Sequence, residues 1–183
     1  MRAKTSRSFG PRAPASSPRL KHKPRVAAVA LDVRKHLPFR PRDLHGLVTD
    51  VRRYPEFIPW VQSISLRMEQ EDAHGWTGVA SALVGWRAFT ERFETRVVSR
   101  PEAGTVSVRL VQGPFKVLEN DWLLQPAPHG GGTALLFRIR YQFKNPVLQA
   151  VAGANRELAA NRIMAAFIEE ARRRFPAAGS GPV

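Results

Sequence analysis

Between residues 61 and 143 the chain repeats one pattern six times. VQSISLRME, TGVASALVG, AFTERFETRVVS, TVSVRLVQ, FKVLENDWLLQP and TALLFRIRYQF are strand-like runs. Gly, Pro or short polar turns separate them, mostly in hairpin order. Ahead of them, Val29, Leu31 and Val33 alternate with Ala30, Asp32 and Arg34, which predicts a first strand. A seven-stranded antiparallel sheet of this size has an apolar face that something must cover.

One segment can do that. Asn145-Pro146 is a helix start, with Asn as N-cap and Pro in the first turn. Val147, Val151, Ala154, Leu158, Met164, Phe167, Ala171 and Phe175 then recur three, four or six residues apart, read as one apolar stripe. A single helix over 145–174 would be about 45 Å long at about 1.5 Å per residue. The expected class is α+β, a curved antiparallel sheet of about seven strands around a long C-terminal helix. The stripe is Ala-rich, which leads either to tight interdigitation or to a cavity between helix and sheet. Phe89, Phe93 and Val97 share one strand face. So do Leu118, Trp122 and Leu124, and so do Leu135, Phe137, Ile139, Tyr141 and Phe143. The concave face is therefore broad and aromatic.

PRDLHGLVTDVRRY predicts a short helix with Leu44, Leu47, Val48 and Val51 on one face. YPEFIPW follows, with three aromatics and two prolines in seven residues. That proline spacing is read as irregular backbone, so the segment is either a buried plug or the rim of a site.

The net charge of +14 is unevenly spread. Residues 1–31 carry eight Lys or Arg and no acid, and the remainder is only moderately basic. Residues 1–25 are expected to be a disordered basic tail, 26–175 the folded domain and 176–183 a loose end. The acid-free leader has some transit-peptide character, but its prolines oppose an amphipathic helix. A basic surface attracts RNA, the ribosome or anionic lipid by the same long-range field, and charge alone does not choose among them. No run is apolar enough for a transmembrane helix.

Chemistry-bearing motifs are sparse. There is no cysteine, hence no disulfide, thiolate metal site or thiol nucleophile. His22, His36, His45, His74 and His129 have no metal-ligand spacing. HGGGT at 129–133 resembles an oxyanion motif but has no nucleophile elbow, so it reads as a hairpin turn. Glu91 shares the inner face with Phe93, where a carboxylate needs an Arg partner or a wet cavity mouth. Arg172, Arg173 and Arg174 read as a solvated helix end suited to the dipole, with headgroup or ribosome contact as the sharper alternative.

YPEFIPW after a short helix, then QGPFKVLENDWLLQP, then YQFKNPVLQAVAG, resembles the coenzyme Q-binding protein family of START-like, polyketide-cyclase-type domains. The resemblance spans residues 29–175. It implies the helix-grip fold with a hydrophobic tunnel, and ubiquinone as bound ligand with no catalytic cofactor or metal. It implies a non-catalytic lipid chaperone serving respiration, rather than an enzyme. A related bacterial branch is described as a toxin that binds the large ribosomal subunit, and the shared motifs match both branches. Val61 follows Trp60 where the family often has Cys. The expected tunnel residues are Tyr54, Phe57, Trp60, Phe89, Phe93, Phe115, Leu118, Trp122, Phe137, Tyr141, Leu148, Val151 and Leu158, with Phe115 folded toward the cavity.

Three functions fit these features: a ubiquinone carrier docking on anionic membrane, a ribosome-binding regulator, and a cyclase-like enzyme. No DNA partner is expected. Arg greatly outnumbers Lys, which points to a bacterium. The expected location is cytoplasmic and peripheral to the inner membrane, or the mitochondrial inner membrane in a eukaryote.

Overall fold

The alternating segments form one antiparallel sheet of seven strands in the order β1-β7-β6-β5-β4-β3-β2. A computed structural model describes residues 27–86, 89–128 and 131–177. The expectations for residues 1–25 and for the His129-Gly130 turn lie outside the described residues. The strands are β1 (Val29–Leu37), β2 (Val61–Asp72), β3 (Gly75–Trp86), β4 (Phe89–Arg100), β5 (Thr105–Gln112), β6 (Phe115–Pro126) and β7 (Thr133–Phe143).

From β2 onward each strand pairs with the next, and β7 pairs back to β1. The edges are therefore β1 and β2, and the chain passes between them through helices. Pro41–Thr49 is α1, Val51–Arg53 a single 3-10 turn, and Tyr54–Phe57 is α2. Leu44, Leu47 and Val48 of α1 and Val51 beyond it are buried, as their spacing predicts.

YPEFIPW is more regular than the sequence suggests. Pro55 sits in the first turn of α2, where no amide hydrogen bond is lost and φ is already helical. The turn ends at Ile58, which is extended ahead of Pro59 as a pre-proline residue favours.

The C-terminal helix is not one rod. Pro146–Ala154 is α3 and Arg156–Arg174 is α4, divided at Asn155. The start is as read: the Asn145 side chain accepts from the amides of Val147 and Leu148. Gly153 and Asn155 are weak helix formers, and the Asn155 amide donates to the Val151 carbonyl at 2.9 Å, closing the end of α3. The break changes which side faces in. Met164, Phe167 and Ala171 of α4 are buried, but Val147, Val151 and Leu158 are 63%, 55% and 45% exposed. On α3 the buried side chain is Gln149. Its amide donates to the Ala27 carbonyl at 3.0 Å, and its carbonyl accepts from the Phe143 amide at 2.7 Å. Two backbone groups at the sheet end find partners there, which an apolar residue could not supply.

The core lies between the concave face and α1, α2 and α4. Val97, Val106, Trp122, Leu124, Leu135 and Phe137 from the sheet meet Leu47 of α1 and Phe167 of α4. A second cluster at the other end holds Val29, Phe115, Leu118 and Tyr141. Of the Ala stripe, Ala160 and Ala171 are buried, whereas Ala150, Ala154 and Ala165 face outward.

Candidate ligand cavity

Where α4, α2 and the end of α1 span the concave face, the packing leaves a cavity of about 210 Å³. Its floor is sheet: Ala80, Ala82, Phe93, Val97, Val108, Leu118, Trp122 and Phe137. Its roof is helical: Val48, Val51, Tyr54, Ile58, Ile163 and Phe167. Ala80 and Ala82 on β3 lie opposite Leu66 and Ile64 of β2 and opposite Thr95 and Phe93 of β4, so small residues stand between larger ones and leave the space.

Aromatic rings fix the shape. Trp122 and Phe137 have centroids 4.4 Å apart, and Phe167 sits 5.0 Å from Trp122. Phe167 also meets Tyr54 and Phe57 edge-on, at 5.3 Å each. The Tyr54 hydroxyl donates to the Val48 carbonyl at 2.5 Å, tying the lip segment to α1. Burial pushes the Tyr54 phenol well above its usual range, aided by the nearby charge of Asp50. It stays neutral at physiological pH.

Gly113 holds one end of the floor. Its φ of +143° is disfavoured for L side chains, and a Cβ there would collide with Phe93. Phe93 thus packs directly against the β5–β6 turn, 5.4 Å edge-on from Phe115.

Of the sequence-predicted residues, Tyr54, Trp60, Phe93, Leu118, Trp122 and Phe137 line the cavity. Phe57 is not a lining residue; it packs behind Tyr54 and Phe167. Phe115 does not fold into the cavity, and stacks on Phe143 at 4.4 Å behind Phe93. Tyr141 sits in the second cluster, its hydroxyl donating to the Ala152 carbonyl at 3.2 Å. Leu148 is half-buried but away from the lining, Val151 faces outward ahead of the Asn155 break, and Leu158, six residues before Met164, lies off the buried face of α4. Phe89 opens β4, but its side chain lies outside the described residues.

Sequence reading missed two polar members, Asn120 and Thr95. Strand parity could have found them: Asn120 alternates with Leu118 and Trp122, and Thr95 with Phe93 and Val97. Both are small and polar, so apolar periodicity does not mark them.

The charged candidates lie elsewhere. Glu91 is half-buried on the inner face of β4 beyond the lining, and pairs in register with Val84. His45 is buried on α1 outside the cavity. Its Nε2 lies 3.4 Å from the Thr105 carbonyl and 3.5 Å from the Ser99 hydroxyl. Desolvation holds its pKa below the usual 6.5, partly offset by the Thr105 contact. Among the described residues no three His, Asp or Glu converge in a metal-binding group.

The triple-arginine end is not uniformly solvated. Arg172 and Arg173 are exposed and Arg174 is largely covered, and Arg173 and Arg174 both donate to Glu170, a carboxylate only 3% exposed. Arg174 also reaches Asp50 at 3.5 Å and lies over the Phe57 ring. The hydrogen bonds from Arg173, reinforced by Arg174, hold the Glu170 carboxyl down to about 2 against the cost of its burial.

On the convex face, arginines pair with carboxylates of other strands. Arg109 bonds Asp121 at 2.8 Å, Arg96 bonds Glu69 at 3.3 Å, Arg138 meets Asp32 at 3.4 Å and Arg140 meets Glu119 at 3.5 Å. This surface is a mixed-charge ladder rather than a concentrated basic patch.

Residues 37–168 match the family described as polyketide cyclase / dehydrase and lipid transport. The ribosome association toxin RatA of Pseudomonas aeruginosa is 30% identical over 139 residues, covering 76% of this chain and 92% of that protein. The mitochondrial coenzyme Q-binding protein COQ10 of Drosophila melanogaster is 26% identical over 143 residues, covering 77% of this chain and 55% of that one. Among solved structures, an 18 kDa protein from Caulobacter crescentus is 35% identical with a TM-score of 0.63, over 79% of this chain and 97% of that one. A START superfamily protein from Mycobacterium smegmatis shares the fold at 17% identity and a TM-score of 0.62, over 81% of this chain and 99% of that one.

Proposed function

The chain belongs to the polyketide cyclase / dehydrase and lipid transport family, and we propose that it is a non-catalytic carrier of an isoprenoid quinone of the ubiquinone type. The observation that carries this reading is the cavity lining. Its one ionisable side chain among the described residues is Tyr54, held neutral by burial. General acid–base work needs a group titrating near neutrality at the reacting atoms. An apolar chamber with aromatic walls suits binding and release instead.

The cavity volume sets what fits. At about 210 Å³ it lies below the roughly 300–1,000 Å³ of ordinary ligand pockets. It takes a substituted ring and the first part of a tail, and the remaining isoprene units must lie outside. Trp122, Phe137 and Phe93 would face the ring, with Trp60 and Ile58 at the lip. Burying roughly 200 Å² of such a ligand at about 25 cal/mol per Å² contributes about 5 kcal/mol. That suits loading and unloading better than storage.

Contact with an anionic membrane is supported by the exposed Val147, Val151 and Leu158, beside the exposed cation Lys144. Among the described residues no helix is long and apolar enough to cross a bilayer. The likeness to RatA, which spans 92% of that protein, favours ribosome association as a second reading. The convex arginines would have to exchange carboxylates for phosphates, so that binding would weaken steeply with salt.

The test is a fluorescence titration with short-chain ubiquinone, read through Trp60 and Trp122. The wild type is expected to show saturable quenching, and Ala82→Phe, which fills the cavity, to abolish it. Absence of quenching in the wild type, or unchanged binding in Ala82→Phe, would refute the carrier reading.

A further inference from the structure

The cavity contains two polar side chains that the fold does not use. Asn120 projects from β6 and Thr95 from β4, both on the concave face. Among the described residues, neither the Asn120 amide nor the Thr95 hydroxyl has a hydrogen-bond partner. A sealed orphan would be costly. Yet the one fully enclosed side-chain atom without a partner among the described residues is Nη2 of Arg174. Both groups therefore open onto the cavity space, and both keep hydrogen-bonding capacity for an occupant.

Their placement is specific. Asn120 stands opposite Val108 of β5, which stands opposite Val97 of β4, and Thr95 is two residues along. Two strands and two residues separate them, roughly 12 Å between Cα atoms at about 4.8 Å per strand and 3.4 Å per residue. Each side chain reaches inward from the sheet. The remaining span matches a six-membered ring with an oxygen at each end and two hydrogen bonds of about 2.9 Å. Val97, Val108 and Trp122 supply the apolar surface between.

We infer that Asn120 and Thr95 are specificity-determining residues that donate hydrogen bonds to opposite carbonyl oxygens of a ring-sized, para-substituted dione headgroup. This rests on the reading of the cavity as a lipid-headgroup site and deepens it. The Asn120 NH₂ and the Thr95 O–H are donors, which fits acceptor oxygens. A hydrocarbon of equal shape would leave both donors unpaired and bind less well.

The test compares duroquinone with durene, the same tetramethylated ring without oxygens, by ligand-observed NMR titration. The chain has no cysteine, so thiol addition to the quinone does not interfere. The wild type is expected to bind duroquinone several-fold more tightly than durene. Asn120→Leu and the nearly isosteric Thr95→Val are each expected to weaken duroquinone roughly threefold to tenfold and to leave durene unchanged. A preference that survives both variants overturns the inference. So does equal loss of both ligands in both variants, which would mean packing alone. A wild type that binds neither ligand overturns the carrier reading itself, and this inference with it.

Discussion

Trp122 of β6 and Phe167 of α4 lie with ring centroids 5.0 Å apart, so sheet and helix touch at the cavity wall. Phe167 also contacts Tyr54 and Phe57, which makes it the common support of floor, roof and lip. Phe167→Ala is expected to cost about 3 kcal/mol, at the low end for a buried Phe because a cavity already adjoins it. Urea denaturation measures this, and a loss under about 1 kcal/mol would show that the roof is not held there.

Glu170 makes stability acid-sensitive. Its folded pKa is depressed from 4.5 to about 2, so its contribution is complete above about pH 4.5 and is lost as pH falls toward 2. Glu170→Gln should lower stability at pH 7 by roughly 2–3 kcal/mol and flatten the acid limb of the curve. An unchanged acid limb would mean that other carboxylates govern it.

His45 acts in a higher window and with the opposite charge logic. Its folded pKa is lowered, so protonation favours the unfolded chain. The neutral form carries no penalty above pH 6.5, and stability should decline as pH falls from 6.5 through the folded value. His45→Gln should remove that decline while leaving the Glu170 limb in place. Thermal melts between pH 7.5 and 4.5 separate the two.

Gly113→Ala would force a side chain into an unfavourable φ and against Phe93. The expected cost is about 1–3 kcal/mol. Because Phe93 lines the cavity, quinone affinity should fall in the same variant. Normal affinity with lowered stability would separate the turn from the site.

The strands and the composition of the floor were legible in the sequence because alternation has a fixed period, and parity assigns a face. Phe93, Leu118, Trp122 and Phe137 were found that way. Leu148 and Val151 lie off the lining because the helical period does not run through Asn155, and Leu158 because it stands six residues from Met164, off the buried face of α4. A one-residue break changes the facing of everything before it, and the only irregularity in the apolar spacing is the six-residue gap from Leu158 to Met164. Tyr141 has the right parity and Phe115 does not, being brought beside Leu118 by the bulge between Phe115 and Val117; both lie past the end of the cavity, which depends on where α4 crosses the sheet. Asn120 and Thr95 needed both parity and the knowledge that no other side chain satisfies them. The pairing of Glu170 with Arg173 follows from helical spacing, but its burial depends on α2 and Asp50 packing nearby.

Lipid extraction of the protein purified from a quinone-producing host, analysed by mass spectrometry, tests the carrier reading most directly. Leu118→Arg, which places a cation in the cavity, serves as the control. The account predicts co-purifying ubiquinone in the wild type and its loss in Leu118→Arg. A wild type that carries no quinone and takes up none when it is added would contradict the account.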